Sequence, residues 1–447
     1  MEGPVVEENL RGTLQQFRPY RAYIDSGVEW LGAIPAHWPV SRIGELTSLV
    51  NGFPFESEYF VRGEGIPLVR IRDLDHAETE VNYIGPVIED AWIEPGDVII
   101  GMDGEFNVAR WRGQRALLNQ RMCCLRPRSG SVAGFISYML PLPLKVINDL
   151  TYSTTVKHLL SIDVRKIRIG TPPELEQQAI ASFLDREMAR IDALAAKKEQ
   201  LIALLQEKRT ALVTRAVTKG LDPNASMKDS GVDWLGKIPA HWQLKRVKNL
   251  SSFVTSGSRG WAEHYTDEGP LFLRIGNLKA GKIDLDFSAV QHVSPRQGVE
   301  GERTRVYGGD LVISITALIG AVGVIPEGVP AAFVNQHLAL VRLSKRQINP
   351  RWLAYCVLSR VGQEQFRAEL YGGTKDGLSL NDIRSLLVLE PPKKEQQRIV
   401  EILDGQGEHV DRLIGKVQEA IDRLKELRAA LISAAVTGKI DVREEAV

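Results

Sequence analysis

Cysteine is scarce in this 447-residue chain. There are three, Cys123 and Cys124 side by side and Cys356 far away. That excludes a disulfide framework and any Cys-x-x-Cys metal spacing. No apolar run approaches the roughly 20 residues a membrane helix needs. The first residues, MEGPVVEENLRG, carry acids and no apolar core, so they do not read as a secretory signal. A cytoplasmic protein is expected. Excess charge is missing too: 56 Lys and Arg balance 56 Asp and Glu. A broadly basic coat for nucleic acid is therefore excluded, though local patches are not. No GxxxxGK[ST] phosphate loop occurs, the nearest strings being GGTKDG and GKIDLD. His37 and His241 each stand alone, with no i+4 partner and no nearby cysteine, so a structural role is expected and no metal site.

What the chain does have is a duplication. DSGVEWLGAIPAHW (25–38) returns as DSGVDWLGKIPAHW (229–242), changed only at Glu29/Asp233 and Ala33/Lys237. Arg70 of PLVRIRDL and Arg274 of PLFLRIGNL are likewise 204 apart. Farther on, LNQRMCCLRP matches VNQHLALVRL at an offset of 216, and YSTTVKHLLSIDVRKI matches YGGTKDGLSLNDIRSL at 219. PPELEQQAIASFLD and PPKKEQQRIVEILD keep that 219. The offset grows only in the middle, as expected of two copies of one fold with diverged loops.

Each copy has a globular part and a helical part. Short β-rich runs such as GDVII, GDLVISI and AFVNQHLALVRL, set between glycine turns, predict a mixed α/β domain. A Pro-Pro pair then opens a helix of about 45 residues, some 65–70 Å long. Gly405, Gly407 and Gly415 predict a looser start for the second helix, and Gly220 and Gly438 suit helix stops. Leu403, Val410, Val417, Leu424 and Leu431 recur every seventh residue, with Leu413 and Leu427 on the companion row. In the first helix Leu184, Ile191, Leu205 and Leu212 hold one row, Leu194 and Leu201 the other. Such rows predict a coiled-coil seam between the two helices; packing of each helix on its own domain is the alternative. The expected fold is α/β (α+β): two mixed α/β domains joined by two long antiparallel helices in an internal pseudo-twofold repeat. Its divisions are an extension (1–24), a first domain (25–171), a first helix (172–220), a second domain (221–390), a second helix (391–441) and a tail (442–447).

This layout, the WLGxIPxHW openings, the LxPP…EQQxI…LD helix starts and the AAVTG ending resemble the specificity subunit of a type I restriction-modification system, from about Asp25 to Asp441. The resemblance implies that the globular parts are target recognition domains and the helices spacer regions. It implies no catalytic, cofactor or metal residue in this chain. Partners implied are double-stranded DNA, two modification (methyltransferase) subunits and motor–nuclease restriction subunits. S-adenosylmethionine, ATP and Mg would belong to those subunits. The Pro-Pro pairs agree: TPPE and EPPK end in charge, where an adenine methyltransferase needs an aromatic ring.

Base edges are read mainly by Arg, Lys, Asn, Gln and Ser, and phosphates by Lys and Arg. In the first domain the candidates are Arg70, Arg72, Arg110, Arg112, Arg115, Thr154, Thr155 and Lys157. In the second they are Ser256, Ser258, Arg259, Arg274, Asn277, Lys279, Thr374 and Lys375. They sit at matching places in the two copies. The first domain (25–170) is acidic and the second (229–390) basic by about three units each, too little to drive binding alone. A two-headed adaptor for protein rather than DNA is the rival reading; polar loops at equivalent positions favour DNA.

Overall fold

The computed structural model of the chain describes residues 16–446 apart from 75, 151–157, 258, 295–298, 345–347 and 372–376. The chain folds as two units, one of residues 1–197 with 419–447 and one of residues 198–418. Each long helix is therefore shared, its first and last parts belonging to different units. We label these helices α1 (Glu174–Lys219) and α2 (Lys393–Val436).

Two sheets organise the first unit. Strands Thr47–Asn51, Met122–Pro127, Val98–Gly101 and Val108–Arg110 form an antiparallel sheet in that spatial order. GDVIIG supplies its fully buried strand, as a continuous apolar run should. The second sheet carries a parallel pair, Leu117 opposite Leu68. Ile100, Leu125, Phe135 and Met139 of the domain share one core with Phe183, Leu184 and Ile191 of α1, with Leu431, Ala435 and Val436 of α2 and with Ile440 just beyond it.

The second unit repeats this plan. Strands Ser251–Ser256, Leu338–Leu343, Leu311–Ser314 and Val322–Val324 lie in the equivalent order, and the parallel pair returns as Phe272 opposite Phe333. Trp242, Trp352, Ile383 and Leu389 share a core with Val213, Ala216 and Val217 of α1 and with Ile399, Val400 and Leu403 of α2. Within each unit both helices thus pack on the domain. Arg428 pairs with Asp192 in the first unit and Arg209 with Asp411 in the second, at 3.0 Å, so the helices run antiparallel in both.

Two expectations need correction. Gly407 does not loosen α2, which is helical throughout. Its missing side chain admits Arg209, whose Nη2 would lie 3.1 Å from a Cβ there and donates to the Gly407 carbonyl. The two seam rows are also uneven. Leu184, Ile191, Leu403, Val410 and Leu431 are buried, and Leu205, Leu212, Leu413, Val417, Leu424 and Leu427 are half-buried. Leu194 and Leu201 are each 44% exposed and lie outside any seam, while Ile421, on neither predicted row, is buried. The glycine stops hold: Gly220 and Gly438 have φ of +72° and +68°. All three cysteines are buried free thiols, and burial pushes the Cys123 thiol up to about 12, which leaves it inert.

Candidate nucleic-acid interface

The repeated motifs fix each domain to its helix. Glu176, in the first turn of α1, accepts from the Trp38 indole at 3.0 Å and meets His37 Nε2 at 2.9 Å. Glu395 does the same for Trp242 at 3.2 Å and His241 at 2.8 Å. A carboxylate in a helix's first turn also suits the positive end of the helix dipole. The next residue caps a neighbouring helix: Gln177 Oε1 accepts from Val132 N–H at 2.9 Å, and Gln396 Oε1 from Asn349 N–H at 2.8 Å. Asp185 accepts from Tyr138 Oη at 2.8 Å and Arg110 at 2.9 Å. Asp404 accepts from Tyr355 Oη at 2.5 Å and Arg351 at 2.8 Å. The Glu, the first Gln and the Asp of the EQQ…LD pattern are thus spent on domain attachment, while Gln178 and Gln397 are exposed. At the other end, Lys439 Nζ donates to the Ala33 carbonyl and Lys219 Nζ to that of Lys237.

Opposite demands shape one end of each four-stranded sheet, where polar connections converge. In the first unit Leu159 N–H donates to Met102 O at 2.8 Å and Met102 N–H to Arg121 O at 2.9 Å, tying three connections together. Gly52 closes the group; a Cβ there would stand 1.9 Å from the Asn119 carbonyl oxygen. Asp103 binds Arg121 at 2.9 Å and His158 Nδ1 at 2.7 Å, and Ser161 donates to Asn51. Burial opposes charge on Asp103, but the His158 and Arg121 hydrogen bonds outweigh it and hold the carboxyl below its usual range.

The second unit builds the same group from other side chains. Leu378 N–H donates to Ile315 O at 2.7 Å, and Ile315 N–H to His337 O at 3.0 Å. Gly257 again makes room; a Cβ there would stand 2.1 Å from the Val334 carbonyl oxygen. Where the first unit has Asp103 and Arg121, the second has Thr316 and His337, 3.0 Å apart, with Gln336 on the far ring nitrogen. Frame hydrogen bonds match while exposed groups differ. Gln120, Arg121, Thr316, Gln336 and His337 were not among the sequence candidates. The duplicated Asn-Gln turn is visible in the sequence as a repeat; its burial is not, Gln120 being exposed and Gln336 half-buried.

The structure sorts the candidates. Arg110 is 29% exposed and holds Asp185 where the domain attaches to α1. Arg70 is 17% exposed, held by Asp73 and Glu80. Arg115 lies over Trp92 and pairs with Glu94 at 2.9 Å. Asn277 is buried; it accepts from Arg274 N–H and donates to the Asp286 and Ala289 carbonyls, which is turn architecture. Lys279 pairs with Asp286, whose carboxyl that hydrogen bond brings down to about 2. Ser256 is half-buried, its carbonyl taken by Arg303. Arg72 is exposed beside Glu80, and Arg112 and Arg259 are exposed with no ion pair among the described residues. Arg274 is half-buried and also unpaired among them. It follows Leu273, whose carbonyl accepts from Asn335 N–H, so it borders the loop group. Thr154, Thr155, Lys157, Ser258, Thr374 and Lys375 lie outside the described residues. No cluster of His, Cys, Asp or Glu suited to a metal occurs among the described residues, and no described helix is long and apolar enough to cross a membrane.

Each unit fixes one domain of the same fold to an antiparallel pair of helix segments and gathers polar loops at one end of its four-stranded sheet. The family of the type I restriction modification DNA specificity domain matches residues 35–203 and 297–423, and the chain belongs to that family. Among curated relatives, the type I restriction enzyme EcoBI specificity subunit of Escherichia coli is 29% identical over 93% of this chain and 89% of its own. The EcoKI specificity subunit of Escherichia coli K12 is 25% identical over 92% and 90%. A chain from a solved structure of a type I R-M system matches with a TM-score of 0.66 at 19% identity, over 90% of this chain and 98% of that one, a likeness of fold.

Proposed function

We propose that this specificity subunit binds duplex DNA at a bipartite target, each domain reading one half, and carries two modification subunits on its helices. The observation that supports this best is the loop group. A matched backbone frame presents Asp103, Gln120 and Arg121 in one domain and Thr316, Gln336 and His337 in the other. Equal frames with unequal donor and acceptor sets suit two different half-sites. The chain supplies recognition and no catalytic group. Adenine methylation with S-adenosylmethionine, and ATP- and Mg-dependent restriction, fall to partner subunits.

The attachment role of EQQ…LD changes where those partners dock. Head-facing residues are occupied, which leaves the outward positions, such as Leu175 (80% exposed), Gln178 and Arg186 on α1 and Lys394, Gln397 and Arg398 on α2. Methylome sequencing of cells expressing this chain with its modification subunit tests the reading. A split target is expected, and Gln336→Ala or His337→Ala should alter one half of it. A continuous target, or no methylation with a well-formed complex, would overturn it. Mass measurement of the complex should give two modification subunits per chain.

A further inference from the structure

Three non-glycine described residues have positive φ: Phe106 (52°), Arg121 (70°) and Leu318 (56°). Side chains of L residues rarely tolerate that region, and a bulky one there is a genuine outlier. Phe106 and Leu318 occupy the equivalent hairpin turn, after Val98–Gly101 in one unit and after Leu311–Ser314 in the other. Phe106 is 2% exposed and fills the core, so burial offsets its strain. Arg121 is tied to Asp103. Leu318 has neither compensation. It is 47% exposed, and the neighbour Ile319 is the residue of that turn packed on the core. Nor does its side chain hold the turn. The turn's hydrogen bonds run from Ala321 N–H to Leu318 O at 3.1 Å, Gly320 N–H to Ser314 O at 2.9 Å and Ser314 Oγ to Ala317 O at 2.6 Å. Glycine would satisfy every one of them. Strain retained without structural return gathers at functional sites.

The turn lies inside the loop group of the second domain. Ile315 bonds His337, and Thr316 Oγ1 is 3.0 Å from His337 Nδ1. An apolar side chain is thus displayed among hydrogen-bonding ones. Along the edges of a DNA duplex, the one apolar group offered in the major groove is the thymine C5-methyl. We propose that Leu318 contacts a thymine methyl in the half-site read by the second domain. This rests on the reading of the domains as DNA-recognition heads.

Leu318→Gly separates recognition from folding, because glycine relaxes the backbone at this φ. The melting temperature of the variant chain should equal or exceed that of the parent. Methylation by the assembled complex on a library randomised in both half-sites should show one position of the second half-site losing its thymine preference by roughly fourfold, the value of one buried methyl group. The first half-site should be unchanged. Replacing that thymine by deoxyuridine should weaken the parent equally and leave nothing further for Leu318→Gly to remove. A preference that is unaltered, or that is lost but indifferent to deoxyuridine, overturns the assignment, as does a lowered melting temperature. His337→Ala, run in parallel, distinguishes the two failures. If it alters the second half-site while Leu318→Gly does not, only Leu318 is misassigned; if neither does, the head itself does not read DNA.

Discussion

Trp38 donates its indole N–H to Glu176 across 138 residues of chain, and the bond recurs between Trp242 and Glu395. Both tryptophans are buried, at 1% and 0% exposure. Each carboxylate therefore satisfies a donor that water does not reach. Glu176→Ala should destabilise the first unit by about 1–3 kcal/mol, the cost of an orphaned buried donor. Urea unfolding followed by tryptophan emission measures it. Glu176→Gln, which keeps an acceptor, should recover most of the loss.

Arg110 and Arg112 are two residues apart and should behave as different kinds of residue. Arg110→Ala breaks the Asp185 clamp and should lower stability by about 1.5–3 kcal/mol, as for hydrogen bonds to charged groups, with the target sequence unchanged. Arg112→Ala should leave stability within about 0.5 kcal/mol, the usual range at the surface. It should weaken or relax the first half-site alone. A methylation library and a melting curve on each variant decide it.

Arg70 and Arg274 open equivalent turns, and their third residues differ: Asp73 against Asn277. Both accept from the arginine's own N–H at 2.9 Å, but only the aspartate also holds the guanidinium. Arg274→Ala should alter the second half-site, whereas Arg70→Ala should lower stability and spare the first. Asn277→Asp should also alter the second half-site by capturing the guanidinium, with a lowered melting temperature besides, because it sets a carboxylate oxygen against the Asp286 and Ala289 carbonyls. An unchanged second half-site in both variants would sink the idea.

Acid should weaken the first unit partly through Asp103. Its folded pKa is depressed, so its contribution is present above the unfolded value of about 3.9 and lost as pH falls through the lower folded value. Asp103→Asn should flatten the fall of stability below about pH 4. Urea midpoints for parent and variant between pH 6 and 3, about the usual carboxylate range, provide the test.

Seam positions should divide by burial. Leu431→Asp places a carboxylate at 3% exposure and should cost several kcal/mol. Leu201→Asp, at 44%, should cost less than about 1 kcal/mol and weaken co-purification of the modification subunit instead.

The frame was legible in the sequence because it is written twice. Repeated Pro-Pro starts, glycine stops and apolar strands are local signals, and both copies obey them. The candidate site was legible by residue type and poorly by residue. Arg110 and Asn277 have the chemistry of readers, yet their partners, Asp185 and the Asp286 and Ala289 carbonyls, are selected by tertiary contact. The heptad rows likewise marked helices correctly but could not say which leucines the domains leave uncovered. EQQ…LD is shared by the two copies, and the structure gives it an internal reason for being shared.

The first unit's core contains Leu431, Ala434, Ala435, Val436, Ile440 and Val442, while the second unit is one continuous stretch of chain. On the ribosome, then, the head made first is completed last. From Ile191 to Ile440 is 249 residues, roughly 10–50 s of synthesis at bacterial and eukaryotic rates. Through that interval the apolar surface around Ile180, Phe183 and Leu184 waits without the helix end that covers it, a window for chaperone capture or aggregation. A nonsense change near Ser433 would accordingly cripple the recognition domain at the opposite end of the gene and leave the nearer one intact.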